Sequence, residues 1–237
     1  MLPSLFRSGS FLFFGIMLGR VFGFIREIVI GYNYGGSSVA DAVVLMLTIP
    51  DLLINVLLVG GFSAALIPEF KRASPEESWC LFVRSSFFVG AVFLLLALLL
   101  MMFADKLLFF FSPGFAPHKL QYISSLLRIT LLTLPFTALA GVATAFLQSN
   151  NRFGVAALGT SIFNLSIIVG LYLMPEKNDI HRITYFVVMG AVIRLLVQYA
   201  VVLKFMVPKV KNISFHGQFK VFRRYLEASF SAGCMLL

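Results

Sequence analysis

Charge is scarce in this sequence, and negative charge is scarcest. Asp and Glu together number 10 in 237 residues, and all charged residues make up only 12%. A soluble domain carries roughly a quarter charged residues, so a soluble globular fold is excluded. Cysteine is limited to Cys80 and Cys234, with no spaced pair, which excludes a disulfide framework and a cysteine metal site. His118, His181 and His216 fall between the apolar runs, with no carboxylate or nucleophile at diagnostic spacing. The sequence contains no phosphate loop, triad pattern or metal-ligand cluster. No enzyme activity, cofactor or metal is expected.

What remains is apolar. Hydrophobic residues make up 59% of the chain and the mean hydropathy is +0.95. These values predict an all-α polytopic membrane protein. Six stretches approach the ~20 residues that cross a bilayer: 11–32, 40–67, 81–103, 123–148, 155–174 and 183–207. A seventh begins near Val221. The chain thus divides into a transmembrane lobe, 1–207, and a basic linker with the start of a seventh span, 208–237. The N-terminal run lacks a small-residue cleavage site and is read as a retained span. Turn signals separate the spans, among them Ser74-Pro75, Ser112-Pro113-Gly114 and Asn150-Asn151.

The net charge of +9 sets topology and membrane attraction rather than nucleic-acid binding. A cytoplasmic N-terminus places Arg7, Lys71, Arg72, Arg84, Arg152 and the cluster from Lys204 to Arg224 on one side. The other side holds only Lys106, Lys119, Lys177 and Arg182, an asymmetry that favours this orientation. The Lys204–Arg224 segment reads as a cytoplasmic linker attracted to anionic lipid.

Against that background, Arg20 and Arg26 stand out inside the first span. A cation at mid-bilayer costs at least about 2.5 kcal/mol, so it is aimed at a water-filled cavity or an anionic ligand, unless the arginines lie near a span end and snorkel to the headgroups. Gly15, Gly19 and Gly23 form a small-residue stripe for close helix packing. At 100° per residue, Arg26 falls within about 20° of Gly15 and Gly19, on that inward face. Arg20 and Glu27 share a second face but stand two turns apart, too far for an ion pair. Two readings stay open: arginines lining a cavity, or arginines neutralised by Asp41 or Asp51.

The second span carries a polar stripe of Asp41, Thr48, Asp51 and Asn55. Pro50 frees a backbone carbonyl and predicts a kink, with Gly60 and Gly61 as a second weak point. Kinked helices at membrane depth are tolerated where they line a cavity. Arg128, Thr130, Thr133, Pro135 and Thr137 mark the fourth span, where hydroxyls bond their own backbone. Asn164, flanked by Ser161 and Ser166, reads as glue between helices.

The ordered set of local motifs resembles a known family. Gly19-Arg20-Val21-Phe22-Gly23-Phe24-Ile25-Arg26-Glu27, Ala40-Asp41-Ala42 and Ile49-Pro50-Asp51-Leu52-Leu53 resemble the opening of the MurJ (MviN) lipid II flippases. Gly60-Gly61-Phe62-Ser63-Ala64-Ala65, Ser112-Pro113-Gly114-Phe115, Asn151-Arg152-Phe153 and Phe163-Asn164-Leu165-Ser166 follow in the family's order. The resemblance implies one six-helix lobe of a two-lobed transporter related to the multidrug and polysaccharide exporters (the MATE-like superfamily). It implies alternating access, a bacterial cytoplasmic (inner) membrane and a role in peptidoglycan biosynthesis. The implied cargo is the undecaprenyl-diphosphate-linked precursor, gripped by intramembrane arginines. Arg20, Arg26 and Asp41 carry over as charged family positions, with Asp51 and Asn55 added from the polar stripe.

Two departures qualify that resemblance. The family's basic pair is replaced by Ile54-Asn55, and the acidic residue after it by Val59. Arg128 is the candidate compensating cation. The length also corresponds to one lobe, so a C-terminal lobe or a second chain is the expected partner. An exporter of another lipid-linked glycan or amphiphile, or a non-transporting lobe acting as an interaction partner, is the alternative.

Overall fold

The computed structural model describes residues 2–35, 38–55, 62–112, 117–173 and 180–206. They form helices α1 (Leu2–Tyr34), α2 (Ser38–Ile54), α3 (Phe62–Arg72), α4 (Pro75–Met102), α5 (Ala104–Phe111), α6 (Pro117–Leu131), α7 (Thr133–Ser149), α8 (Phe153–Tyr172) and α9 (Ile180–Met206). Gly60, Gly61 and the 208–237 linker lie outside the described residues.

Four of the six expected spans coincide with helices long and apolar enough to cross a bilayer. They are Pro75–Met102, Lys119–Ser149, Phe153–Tyr172 and His181–Lys204. The other two are not among these four. Helix α1 runs 33 residues, about 50 Å at 1.5 Å per residue, but carries Arg20, Arg26 and Glu27 within one membrane depth. Helix α2 spans Ser38–Ile54 and runs through Pro50, and residues 56–61 of the expected 40–67 stretch lie outside the described residues. Its continuation, α3, is an amphipathic segment ending in Lys71 and Arg72.

Local chemistry sets the helix ends. Ser74 and Glu77 form a capping box before α4: the Glu77 N–H donates to Ser74 Oγ at 3.3 Å, and the Ser74 N–H donates to Glu77 Oε2 at 3.0 Å. Pro75 at the first helical position costs nothing there, since its missing N–H would lack a partner anyway. The fourth span breaks at Leu132. Pro135 has no N–H for the Leu131 carbonyl and its ring crowds that group, so the chain closes a tighter turn, Leu132 N–H to Ile129 O at 3.1 Å. Thr130 and Thr133 Oγ1 donate to the carbonyls of Leu127 and Thr130 at 3.1 and 2.7 Å, as expected from sequence. Asn151 turns the chain from α7 into α8 with φ of 61°, a left-handed conformation that Asn tolerates better than most residues.

Helix α7 is the centre of the packing. Leu134, Ala138, Ala140, Val142, Ala143, Ala145 and Leu147 are fully buried, and α7 touches α2, α3, α4, α8 and α9. Small alanines let several helices approach one axis, which is how helices associate in lipid without a hydrophobic driving force. At one end Phe146 of α7 packs between Phe70, Trp79 and Phe82 at ring separations of 5.1, 6.3 and 4.7 Å. Outward residues such as Phe87, Leu95, Phe110 and Tyr172 are exposed, as lipid-facing side chains should be.

The glycine stripe of α1 meets α8. A Cβ on Gly15 would collide with the Ala157 side chain, and one on Gly19 would lie 3.3 Å from Thr160 Cβ. Gly23 faces Asn164 in the same row. Gly15→Ala should therefore destabilise the purified protein by about 1–3 kcal/mol through overpacking, read as a lowered thermal unfolding midpoint in detergent. Gly31→Ala meets open space and should be neutral or slightly stabilising, since alanine is the better helix former. Ser74→Ala should cost about 1 kcal/mol by removing the cap of α4, in the same assay.

Candidate functional site

Helices α1, α2, α7, α8 and α9 enclose a cavity of about 480 Å³, within the usual range for ligand clefts. Among the described residues three charged ones line it: Arg26 from α1, Asp51 from α2 and Arg194 from α9. Around them stand Asn55, Thr137, Thr144, Gln148, Thr160 and Asn164, with Ile54 and Phe163 as the larger apolar members.

Arg26 is the most tightly held of these. Its Nη2 and Nε donate to Glu27 Oε1 at 2.6 and 3.2 Å. Its Nη1 donates to Asn164 Oδ1 at 3.1 Å. Asn164 in turn donates from Nδ2 to the Gly19 carbonyl at 3.2 Å, so both ends of its amide are used. The Arg26 side chain is 14% exposed and Glu27 51% exposed. The guanidinium thus sits at the cavity edge with its counter-ion on the open side.

Asp51 lines the cavity together with Arg26 and Arg194. Arg194 lies over Gly159 of α8, where a Cβ would come within 3.1 Å of its Nε. One turn along α9, the buried Gln198 donates from Nε2 to Thr144 Oγ1 at 2.9 Å and to the Ala156 carbonyl at 3.4 Å. Arg194 Nε and Gln198 Oε1 are buried without a hydrogen-bond partner.

The structure brings Arg26, Asp51 and Asn55 to one cavity. Arg20 and Asp41 are exposed and lie outside its lining. Helix geometry accounts for this: Arg20 is rotated about 120° from Arg26, and Asp41 about 80° from Asp51. Pro50 is buried inside α2. The counter-ion of Arg26 is its neighbour Glu27, rather than Asp41 or Asp51. Arg128 is no compensating cavity cation: its Nη2 donates to Asp105 Oδ2 at 2.8 Å on an exposed surface, outside the cavity lining. Asn164 does bridge helices, and it also positions Arg26. Arg194 was missed, although it carries the same mark as Arg26, a lone guanidinium in an apolar run. Among the described residues no group of three or more His, Cys, Asp or Glu is placed to hold a metal.

Two guanidiniums facing one carboxylate, amides and hydroxyls suit an anionic, oxygen-rich ligand. Arginine meets phosphoryl oxygens through planar, charge-assisted hydrogen bonds, and these strengthen away from bulk water.

Comparison with known proteins identifies the family and the fold. The family described as "Lipid II flippase MurJ" matches residues 30–236. A curated relative from Aquifex aeolicus (strain VF5), described as a probable lipid II flippase MurJ, is 26% identical over 223 residues, covering 93% of this chain and 45% of the relative. A solved structure of lipid II flippase MurJ in an inward closed conformation superposes with a TM-score of 0.71 at 22% identity, covering 97% of this chain and 47% of that one. A MOP superfamily transporter from Pyrococcus furiosus, described as having a binding pocket of reverse polarity that suggests a different function, also gives 0.71, at 15% identity over 95% of this chain and 52% of its own. At these identities the two structures establish the fold alone. The chain spans about half the length of the relatives it matches. With the match running through nearly the whole sequence, this polytopic all-α membrane protein belongs to the MurJ family, a family of lipid flippases rather than enzymes.

Proposed function

We propose that this chain forms the N-terminal lobe of a flippase for undecaprenyl-diphosphate-linked peptidoglycan precursor, lipid II, working by alternating access. The observation that carries this reading is Arg26, held in an intramembrane cavity by Glu27 and Asn164 within a MurJ-family chain. A guanidinium kept at such depth needs an anion worth its desolvation. In the empty state Glu27 serves that purpose from the open side, where an incoming diphosphate competes for the same donors.

The rest of the reading follows from charge. The excess of Lys and Arg on one side of the spans supports a cytoplasmic N-terminus in the bacterial inner membrane. Residues 1–207 make the transmembrane lobe, and the basic 208–237 segment rests on anionic lipid before a seventh span. A C-terminal lobe or a second chain covers the face on which the exposed Arg20 and Glu27 would otherwise turn to lipid.

A second reading, export of another anionic lipid-linked glycan, draws on the replacement of the family's basic pair by Ile54-Asn55 and on Asp51 in the cavity. Lipid II and a lipid-linked glycan without the peptide, offered to the same vesicles, distinguish the two cargoes.

In the protein at its native length, reconstituted into vesicles, Arg26→Gln should lower lipid II translocation about tenfold or more. That corresponds to one lost charged hydrogen-bonding site of about 1.5–3 kcal/mol. Arg26→Lys should retain part of the activity, because it keeps the charge and loses the planar fork. Translocation by Arg26→Gln at the wild-type rate would sink the electrostatic mechanism.

A further inference from the structure

We propose that Arg194 is a second diphosphate ligand of this cavity, supplying from α9 the cation that this chain lacks at Ile54-Asn55. The inference rests on the flippase reading and assigns the anion site within it.

The case begins with charge. A lipid-linked diphosphate carries one negative charge on each phosphoryl group, and Arg26 is already shared with Glu27. Asp51 adds a further carboxylate to the lining. One partly neutralised guanidinium does not match two phosphoryl groups, and the positions that resemble the family's basic pair hold Ile54 and Asn55. Among the described residues, Arg194 is the other cation in the lining.

Geometry then separates a ligand from a structural arginine. An arginine used only for packing has its donors occupied, because a buried unpaired polar group costs free energy. Among the described residues, Arg194 Nε is buried without a partner, and so is Oε1 of Gln198, a residue with 0% exposure. Both lie over Gly159, where a Cβ would stand 2.5 Å from Gln198 Nε2 and 3.1 Å from Arg194 Nε. The backbone is thus cut away to seat this pair. Gln198, one turn along α9 from Arg194, is fixed by Thr144 and the Ala156 carbonyl.

Placement completes the case. Asn164 meets Arg26 and Gly159 meets Arg194, five positions apart on α8, about 7.5 Å along its axis. The two positions are also about 140° apart around α8, yet both arginines line the one cavity, so a ligand that spans it meets a cation from each side. Asp51 lines the same cavity and supplies the carboxylate with which an incoming diphosphate competes.

The test is equilibrium binding of undecaprenyl diphosphate and undecaprenyl monophosphate to the native-length protein in detergent. R194Q should weaken diphosphate binding tenfold or more and leave monophosphate binding within about twofold. Adding I54R to R194Q should restore diphosphate affinity, because a cation returns to the position that resembles the family's basic pair. R26Q should weaken both lipids. If R194Q binds diphosphate like wild type while R26Q does not, Arg194 is structural and the flippase reading stands without it. If R194Q loses both lipids equally and I54R restores neither, the substitution damaged the fold and the proposal is overturned. If the wild type binds neither lipid, or R26Q changes nothing, the diphosphate reading itself fails.

Discussion

Everything at this site depends on how closely α1 approaches α8. Gly15, Gly19 and Gly23 remove side chains from the contact, so Asn164 reaches the Gly19 carbonyl with one end of its amide and Arg26 with the other. A guanidinium on an isolated apolar helix faces a large desolvation cost. Here the neighbouring helix backbone, through one asparagine, helps to hold it. The adjacent Glu27 supplies the countercharge. A side chain on the stripe would separate the helices and break this relay before any ligand arrived. Packing and function are therefore linked through the same few atoms.

The cavity that results is mixed in charge rather than purely cationic. Arg26 and Arg194 oppose Asp51, with Glu27 at the open edge. Internal counter-ions make an anion site less sticky, because the ligand must displace them, and a transporter needs a site that releases as well as binds. Gly159 does for Arg194 what Gly23 does for Arg26: each leaves out a side chain so that a polar group fits between helices.

Much of this was legible in the sequence, and the limits have physical causes. The apolar spans 81–103, 123–148, 155–174 and 183–207 match α4, α6 with α7, α8 and α9, because lipid-facing helices must be apolar along their whole length. The inward face of Arg26 followed from its register with the glycines. Its partners did not: Glu27, one residue on, does not face Arg26 on an ideal helix, and the two meet only because the side chains are long. Asn164 was readable as interhelical glue but not as a ligand to Arg26, since that contact is 138 residues distant in sequence. Arg194 was missed because a lone arginine reveals nothing of what lies across from it. Gly60 and Gly61, read as a flexible point, fall outside the described residues, as does the basic linker.

The central claim is that the cavity recognises a lipid-linked diphosphate through its arginines. Native mass spectrometry of the native-length protein, titrated with lipid II against phosphatidylglycerol, tests it most directly. The account predicts that lipid II remains bound at concentrations where the singly charged phospholipid has dissociated, and that added salt narrows the difference. Equal retention of both lipids would contradict it, because it would mean that the arginines serve the fold and not the cargo.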